Sequence, residues 1–157
     1  MPNVRVIGAR IGQVSIGEAC AEIVPPQAAL RESLRTGCVF EEQSPQSLGI
    51  LVTRAKPRRG IQTRIHAWWP QLAPSLELLR PQMEADRDLG WQVFAHRYRE
   101  ELEALGWPMR LRALLQLSLW LTEYPSVTLL SFEGTRGLPE HQIHSQRRVL
   151  WSWLLGE

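Results

Sequence analysis

Gly49-Ile50-Leu51-Val52-Thr53 and, later in the chain, Ser126-Val127-Thr128-Leu129-Leu130-Ser131-Phe132 decide how this sequence folds. Both are near-continuous apolar runs set between turn-forming residues, with Pro125 directly before the second. An unbroken run suits a strand buried on both faces, as in a parallel sheet. Helical spacing fills the interval between them. Over 91–105 the apolar set is Trp91, Phe94, Ala95, Tyr98, Leu102 and Leu105, one face of a helix that Gly106 ends. Over 109–122 leucines recur almost all round, so that helix is expected to be buried or to cover an interface. After the second run comes a polar loop, 133–144. A closing helix from Ser145 then buries Val149, Leu150, Trp153 and Leu154. Helices separating buried strands predict an α/β fold: a single layered domain with a mostly parallel sheet flanked by helices.

Shorter elements extend this frame. Val4 to Ile7 and Val14 to Ile16 read as short strands between glycines, and 27–35 reads as a helix closed by Gly37. Val39 and Phe40 start another short strand. A helix is expected over 62–69, interrupted at Pro70, and Ser75 is placed to cap a short helix over 76–80. The organisation is an N-terminal extension, 1–37, packed on an α/β domain, 38–157.

The 157 residues are 44% apolar and 22% charged, with a formal charge of +2. That balance excludes a polybasic tail, a highly acidic chain and wholesale disorder. No apolar run approaches a membrane span, and Arg5, Arg10, Glu18 and Glu22 interrupt any leader-like core, so a cytoplasmic protein is expected. Lys56 is the only lysine beside seventeen arginines. Cys20 and Cys38 have no metal-type spacing and read as buried free thiols.

Parallel strands place their C-terminal ends at one edge, where open α/β sheets bind ligands. The loop over 54–64 carries Arg54, Lys56, Arg58, Arg59 and Arg64 and no acid. The loop over 133–144 carries Glu133, Arg136, Glu140, His141 and His144, with Arg147 and Arg148 entering the last helix. The N-terminus of that helix adds oriented N–H groups that favour anions. Convergence of the two loops predicts a positive cleft for a phosphate, a carboxylate or a nucleic-acid backbone. Its ligand-binding residues would be Arg54, Arg58, Arg59, Arg64 and Arg147, whose planar forks suit such groups.

A solvated surface loop is the plainer reading of the same charges. Arg54, directly after a buried strand, is expected to be held at the edge and paired with Glu133. Glu133 and His144 are the candidates for acid–base catalysis. His141 and His144 have helical metal-ligand spacing, yet the sequence nominates no third and fourth ligand, so no metal is expected. GxSxG, P-loop and GxGxxG patterns are all missing from the sequence, and no cofactor is expected. Trp68 and Trp69 are either core or a stacking surface beside the basic loop. Trp91, Trp120 and Trp153 read as core.

Four segments resemble a known family. Leu51-Val52-Thr53-Arg54-Ala55-Lys56-Pro57-Arg58-Arg59-Gly60-Ile61 is similar to the "LVDRxWPRG" element of the domain-of-unknown-function 488 family, in its YeaO-like branch. Trp68 through Leu78 resembles "WxKELAPSxEL", Trp91 through Leu102 resembles "WxxFxxRYxxEL", and Val127 through Leu130 resembles "VTLLY". Order and spacing agree over about 38–155. Thr53 stands where the branch has Asp, Lys56 where it has Trp, and Ser145-Gln146 replaces the usual start of the last helix. The resemblance implies an α/β domain and weight on Arg54, Pro57, Arg58 and Tyr98, and it supplies no reaction.

Three functions follow from these features. The first is a binding domain or an enzyme for a small phosphate- or carboxylate-bearing ligand. The second is a non-catalytic interaction module, a homodimer formed through 109–122 and the tail 151–155. The third is a nucleic-acid accessory protein, which the near-neutral charge disfavours. No membrane partner is expected.

Overall fold

The structure, a computed structural model, describes residues 26–79, 87–134 and 137–157. The strands expected over 4–7 and 14–16, Cys20 and Arg136 lie outside them. Among the described residues the order is α1 (Gln27–Ser33), β1 (Leu34–Cys38), β2 (Ser47–Leu51), α2 (Arg59–Gln62) and β3 (Ala67–Trp68). Next come α3 (Leu76–Leu79), α4 (Arg87–Trp120), β4 (Ser126–Ser131) and α5 (Gln146–Leu155).

The two decisive runs are neighbours. β2 and β4 pair in parallel from Ser47 opposite Ser126 to Leu51 opposite Leu130. β1 lies on the other side of β4, and β3 on the other side of β2, both parallel, so the sheet order is β1-β4-β2-β3. Every residue of β2 and β4 is buried, which is why their sequences show no polar alternation. The fold is α/β with a parallel sheet, as the sequence implied.

Side chains alternate between two unlike faces. Leu34, Leu48, Ile50, Val127 and Leu129 join one core with Tyr98, Leu102, Leu117, Leu150 and Trp153, so α1, α4 and α5 cover that face. Leu51 and Leu130 point the other way, to a small cluster with Val39, Ile61, Ile65 and Trp68. There the cover is a short connection, 39–46, and the segment holding α2.

α4 is broken at Gly106, whose φ of 80° and ψ of 172° lie outside the helical region. Only glycine takes that conformation without a Cβ penalty, so the expected helix end at Gly106 stands. Ser75 caps α3: its Oγ accepts the Leu78 N–H at 3.2 Å.

Some expectations are corrected. The helix over 27–35 stops at Ser33, and Gly37 is a strand residue opposite Leu130, where the Gln43 side chain occupies the space a Cβ would need. Val39 and Phe40 form a turn after β1 and start no strand. The helix over 62–69 does not form: α2 ends at Gln62, and Ala67-Trp68 pairs with β2. Edge hydrogen bonds from His66 N–H to Gly49 O and from Trp69 N–H to Leu51 O hold that segment extended, and Pro70 favours an extended residue before it. The second half of α4 is apolar all round but buried on one side only, with Leu119 64% exposed. The tail is absorbed by the molecule's own core, since Trp153, Leu154 and Leu155 are buried. No helix among the described residues is long and apolar enough to cross a membrane.

Candidate functional site

β2 and β4 run the same way, so the segments after them emerge at one edge. Val52 extends the pairing, its N–H bonding to Leu130 O at 2.9 Å. Alternation then divides the edge. Phe132 turns to the loop-covered face and its neighbour Glu133 to the helix-covered face, so the two loops meet on opposite sides of β4's end.

On the helix-covered side Arg147 is the organising residue. Its guanidinium is fully buried. Nε and Nη2 bond to the two carboxylate oxygens of Glu140 at 2.7 and 3.1 Å. Nη1 donates to Ser131 Oγ at 2.8 Å and to the Glu133 carbonyl at 2.6 Å. One cation thereby ties α5 to the end of β4 and to the following loop. Burial works to raise the Glu140 pKa, but the Arg147 hydrogen bonds and charge, with help from Thr36, outweigh it and hold the carboxyl below its usual range. Beside Arg147, the Gln146 side chain donates to Val52 O and its N–H to Glu133 Oε1 at 3.4 Å. The fully buried Ser145 Oγ and the Glu133 Oε2 atom have no hydrogen-bond partner.

Tyr98 reaches the same edge from α4. It is fully buried, and its hydroxyl donates to Leu72 O at 2.5 Å. Burial first, then the charges of Glu133 and Glu101, push its pKa well up, with Arg54 acting in the opposite sense. Arg54 Nη2 donates to Ala73 O at 2.7 Å and Nε to Pro74 O at 3.4 Å. The expected partner of Arg54, Glu133, lies instead beside Arg147, at 4.0 Å from Nη1. His144 is exposed and stacks on Trp91, ring centroids 5.0 Å apart and planes within 6°. His141 lies exposed beside Gln142. No cluster of three or more potential metal ligands occurs among the described residues.

The loop-covered side is open. A groove of about 570 Å³ is lined by Phe40, Ala55, Lys56, Arg58, Gly60, Ile61, Arg64 and Phe132. Phe40 and Phe132 stack with centroids 5.7 Å apart at 27°, and they remain 59% and 42% exposed. Arg64 Nη1 donates to Phe40 O at 3.2 Å, tying the basic loop to the residues after β1. Arg59 is exposed at the start of α2, outside that lining. A second cavity of about 540 Å³ shares Phe40 and Arg64 and reaches Ser47, Gly49, His66 and Thr128. Gly49 N–H donates to His66 Nδ1 at 2.9 Å, so a neutral His66 ring carries its proton on Nε2.

A family model described as "Active DUF488-N3 subclade" matches residues 34–157. The chain belongs to the DUF488-N3 family. No curated protein and no solved structure matches it.

In this DUF488-N3 member the match begins at the first residue of β1 and takes in the whole sheet, both sides of its edge and α5. Thr53, which replaces the Asp of the resembling element, turns its hydroxyl back to Ala55 O at 3.0 Å. Neither tryptophan considered for stacking lines the groove. Trp68 Nε1 donates to Thr53 O at 2.7 Å, and Trp69 stacks on Trp120. The aromatic groups at the groove are Phe40 and Phe132, which the sequence reading passed over. The strand period was the available signal for Phe132, since it follows Leu130 by two and shares its face. Phe40 carried no such signal, because its exposure depends on the turn after β1.

Proposed function

We propose that this protein, as a YeaO-like member of its family, binds an anionic ligand bearing phosphate or carboxylate in the groove beside α2. The observation that carries this reading is the lining itself: Lys56, Arg58 and Arg64 with no carboxylate among the described lining residues. Grouped cations facing one concave surface raise the local concentration of anions even when the whole molecule is near neutral. The two guanidiniums suit bidentate contact with such oxygens. Arg147 contributes to the edge without touching ligand, because its donors are spent on Glu140, Ser131 and the Glu133 carbonyl. Arg54 likewise positions the segment at Ala73 and Pro74.

The family description's word "active" favours a ligand that is also a substrate. Glu133 and His144 lie on the other side of the strand end and do not line that groove, so acid–base chemistry by either would need a ligand on the helix-covered side. A cytoplasmic setting accords with the free buried thiol of Cys38.

Calorimetric titration with inorganic pyrophosphate and with citrate tests the reading. Saturable binding that weakens with salt, and falls about tenfold or more in Arg58→Ala and Arg64→Ala, is the expected result. A wild-type protein that binds neither anion, or variants that bind both unchanged, would overturn it.

A further inference from the structure

We propose that the ligand is a nucleotide unit, its ring packed on the Phe40–Phe132 pair and its phosphate held by Lys56, Arg58 and Arg64. This deepens the groove reading and rests on it.

Two large aromatic side chains lie open at the sheet edge although the same molecule buries Phe94, Tyr98 and Trp153 completely or nearly so. They stack on each other with planes 27° apart, and their exposure of 59% and 42% leaves apolar ring surface open to a further ring. A nucleobase has two π-faces and stacks on such a surface whatever its identity. The cations share one lining with the rings. Arg64 donates to the Phe40 carbonyl, which brings its charge to the same segment as the ring. A simple anion would use the cations and leave both rings wet. A neutral aromatic would use the rings and leave the cations unpaired. A nucleotide satisfies both, and about 570 Å³ lies in the usual size range for small-molecule sites. The formal charge of +2 offers little long-range attraction to a duplex, which favours recognition of one unit over a polyanion.

The test compares adenosine monophosphate, ribose 5-phosphate and a short single-stranded oligodeoxythymidylate on the full chain, each with wild type, Phe40→Ala and Phe132→Leu. Adenosine monophosphate is expected to bind about tenfold or more tightly than ribose 5-phosphate. Phe40→Ala should erase that difference, leave ribose 5-phosphate binding in place and leave thermal unfolding unchanged. Phe132→Leu, which keeps an apolar side chain at the edge, should reduce the difference in the same way. Phe40-dependent binding of the oligonucleotide beyond that of the monophosphate supports the same contact with a strand as its source. Equal affinities for adenosine monophosphate and ribose 5-phosphate would overturn the nucleotide assignment while leaving the anion reading intact. Binding of none of the three overturns both.

Discussion

The two faces of one sheet are finished in different ways. Leu48, Ile50, Val127 and Leu129 meet three helices, and the resulting core includes Tyr98, Leu102, Leu117 and Trp153. The opposite face meets only the connection 39–46 and the segment around α2, and its cluster is three buried residues, Val39, Leu51 and Leu130. Two cavities open on that thin side, of about 570 and 540 Å³. A helix presents a continuous ridge of side chains that fills the space over a sheet, whereas an eight-residue connection spans it without filling it. The helix-covered face carries most of the core, and the loop-covered face carries the open groove proposed above as a ligand site.

Arg147→Ala breaks this contrast most severely. It removes the cation that serves Glu140, Ser131 and the Glu133 carbonyl, and it leaves a partly buried carboxylate uncompensated. Loss of one partner from a buried pair costs about 3–5 kcal/mol. Denaturant unfolding should show that loss, and pyrophosphate binding by the fraction that stays folded should persist. A loss below about 1 kcal/mol would mean that the edge is held by something else.

Much of this division was legible in the sequence, and the rest was hidden for definite reasons. The apolar runs around Ile50 and Leu129 announced buried parallel strands, because five or six apolar residues set between turn residues are too short for a buried helix. Gly106 marked the break in α4, and Ser75 marked the start of α3. β1 and β3 were not legible. Leu34-Arg35-Thr36-Gly37-Cys38 has no strand period on its own, and a two-residue strand at Ala67-Trp68 exists only because β2 presents Gly49 and Leu51 carbonyls to it. For the site, the basic loop was visible as a charge pattern. Its partner was misassigned: Arg54 and Glu133 looked like an ion pair from their strand-end positions, yet Arg54 turns to the Ala73 and Pro74 carbonyls while Glu133 sits beside Arg147. Sequence distance from a strand end tells which edge a residue reaches. Parity places both on the helix-covered face, and only the surrounding acceptors decide that Arg54 turns to the Ala73 and Pro74 carbonyls.

Gly49→Ala sharpens the contrast from the thin side. An added Cβ would lie 2.9 Å from Leu130 Cδ1 and 3.5 Å from Arg64 O, so the small apolar cluster must shift. Overpacking of this kind costs about 1–3 kcal/mol. Because the obstructing atom is a side-chain end and the cover above is a loop, the lower half of that range is expected by thermal or denaturant unfolding. A cost as large as that of Arg147→Ala would show the loop-covered face to be as rigidly packed as the other.

The smallest effect concerns acid. The Glu140 carboxyl is held below its ordinary value of 4.5, so the folded state binds its proton less readily than the unfolded chain does. Its contribution is therefore fully present above the unfolded value and is lost as pH falls through the lower folded value. Wild-type stability should decline over the acid range below 4.5, and Glu140→Gln should flatten that decline. The amide oxygen of Gln still accepts from the Arg147 guanidinium, so at neutral pH the variant should lose less than Arg147→Ala does. Unfolding midpoints for wild type and Glu140→Gln between pH 7 and the onset of acid unfolding check this directly. Parallel curves for the two proteins would show that Arg147 is fastened chiefly by Ser131 and the Glu133 carbonyl, and that the helix-covered side of the edge is held by neutral acceptors.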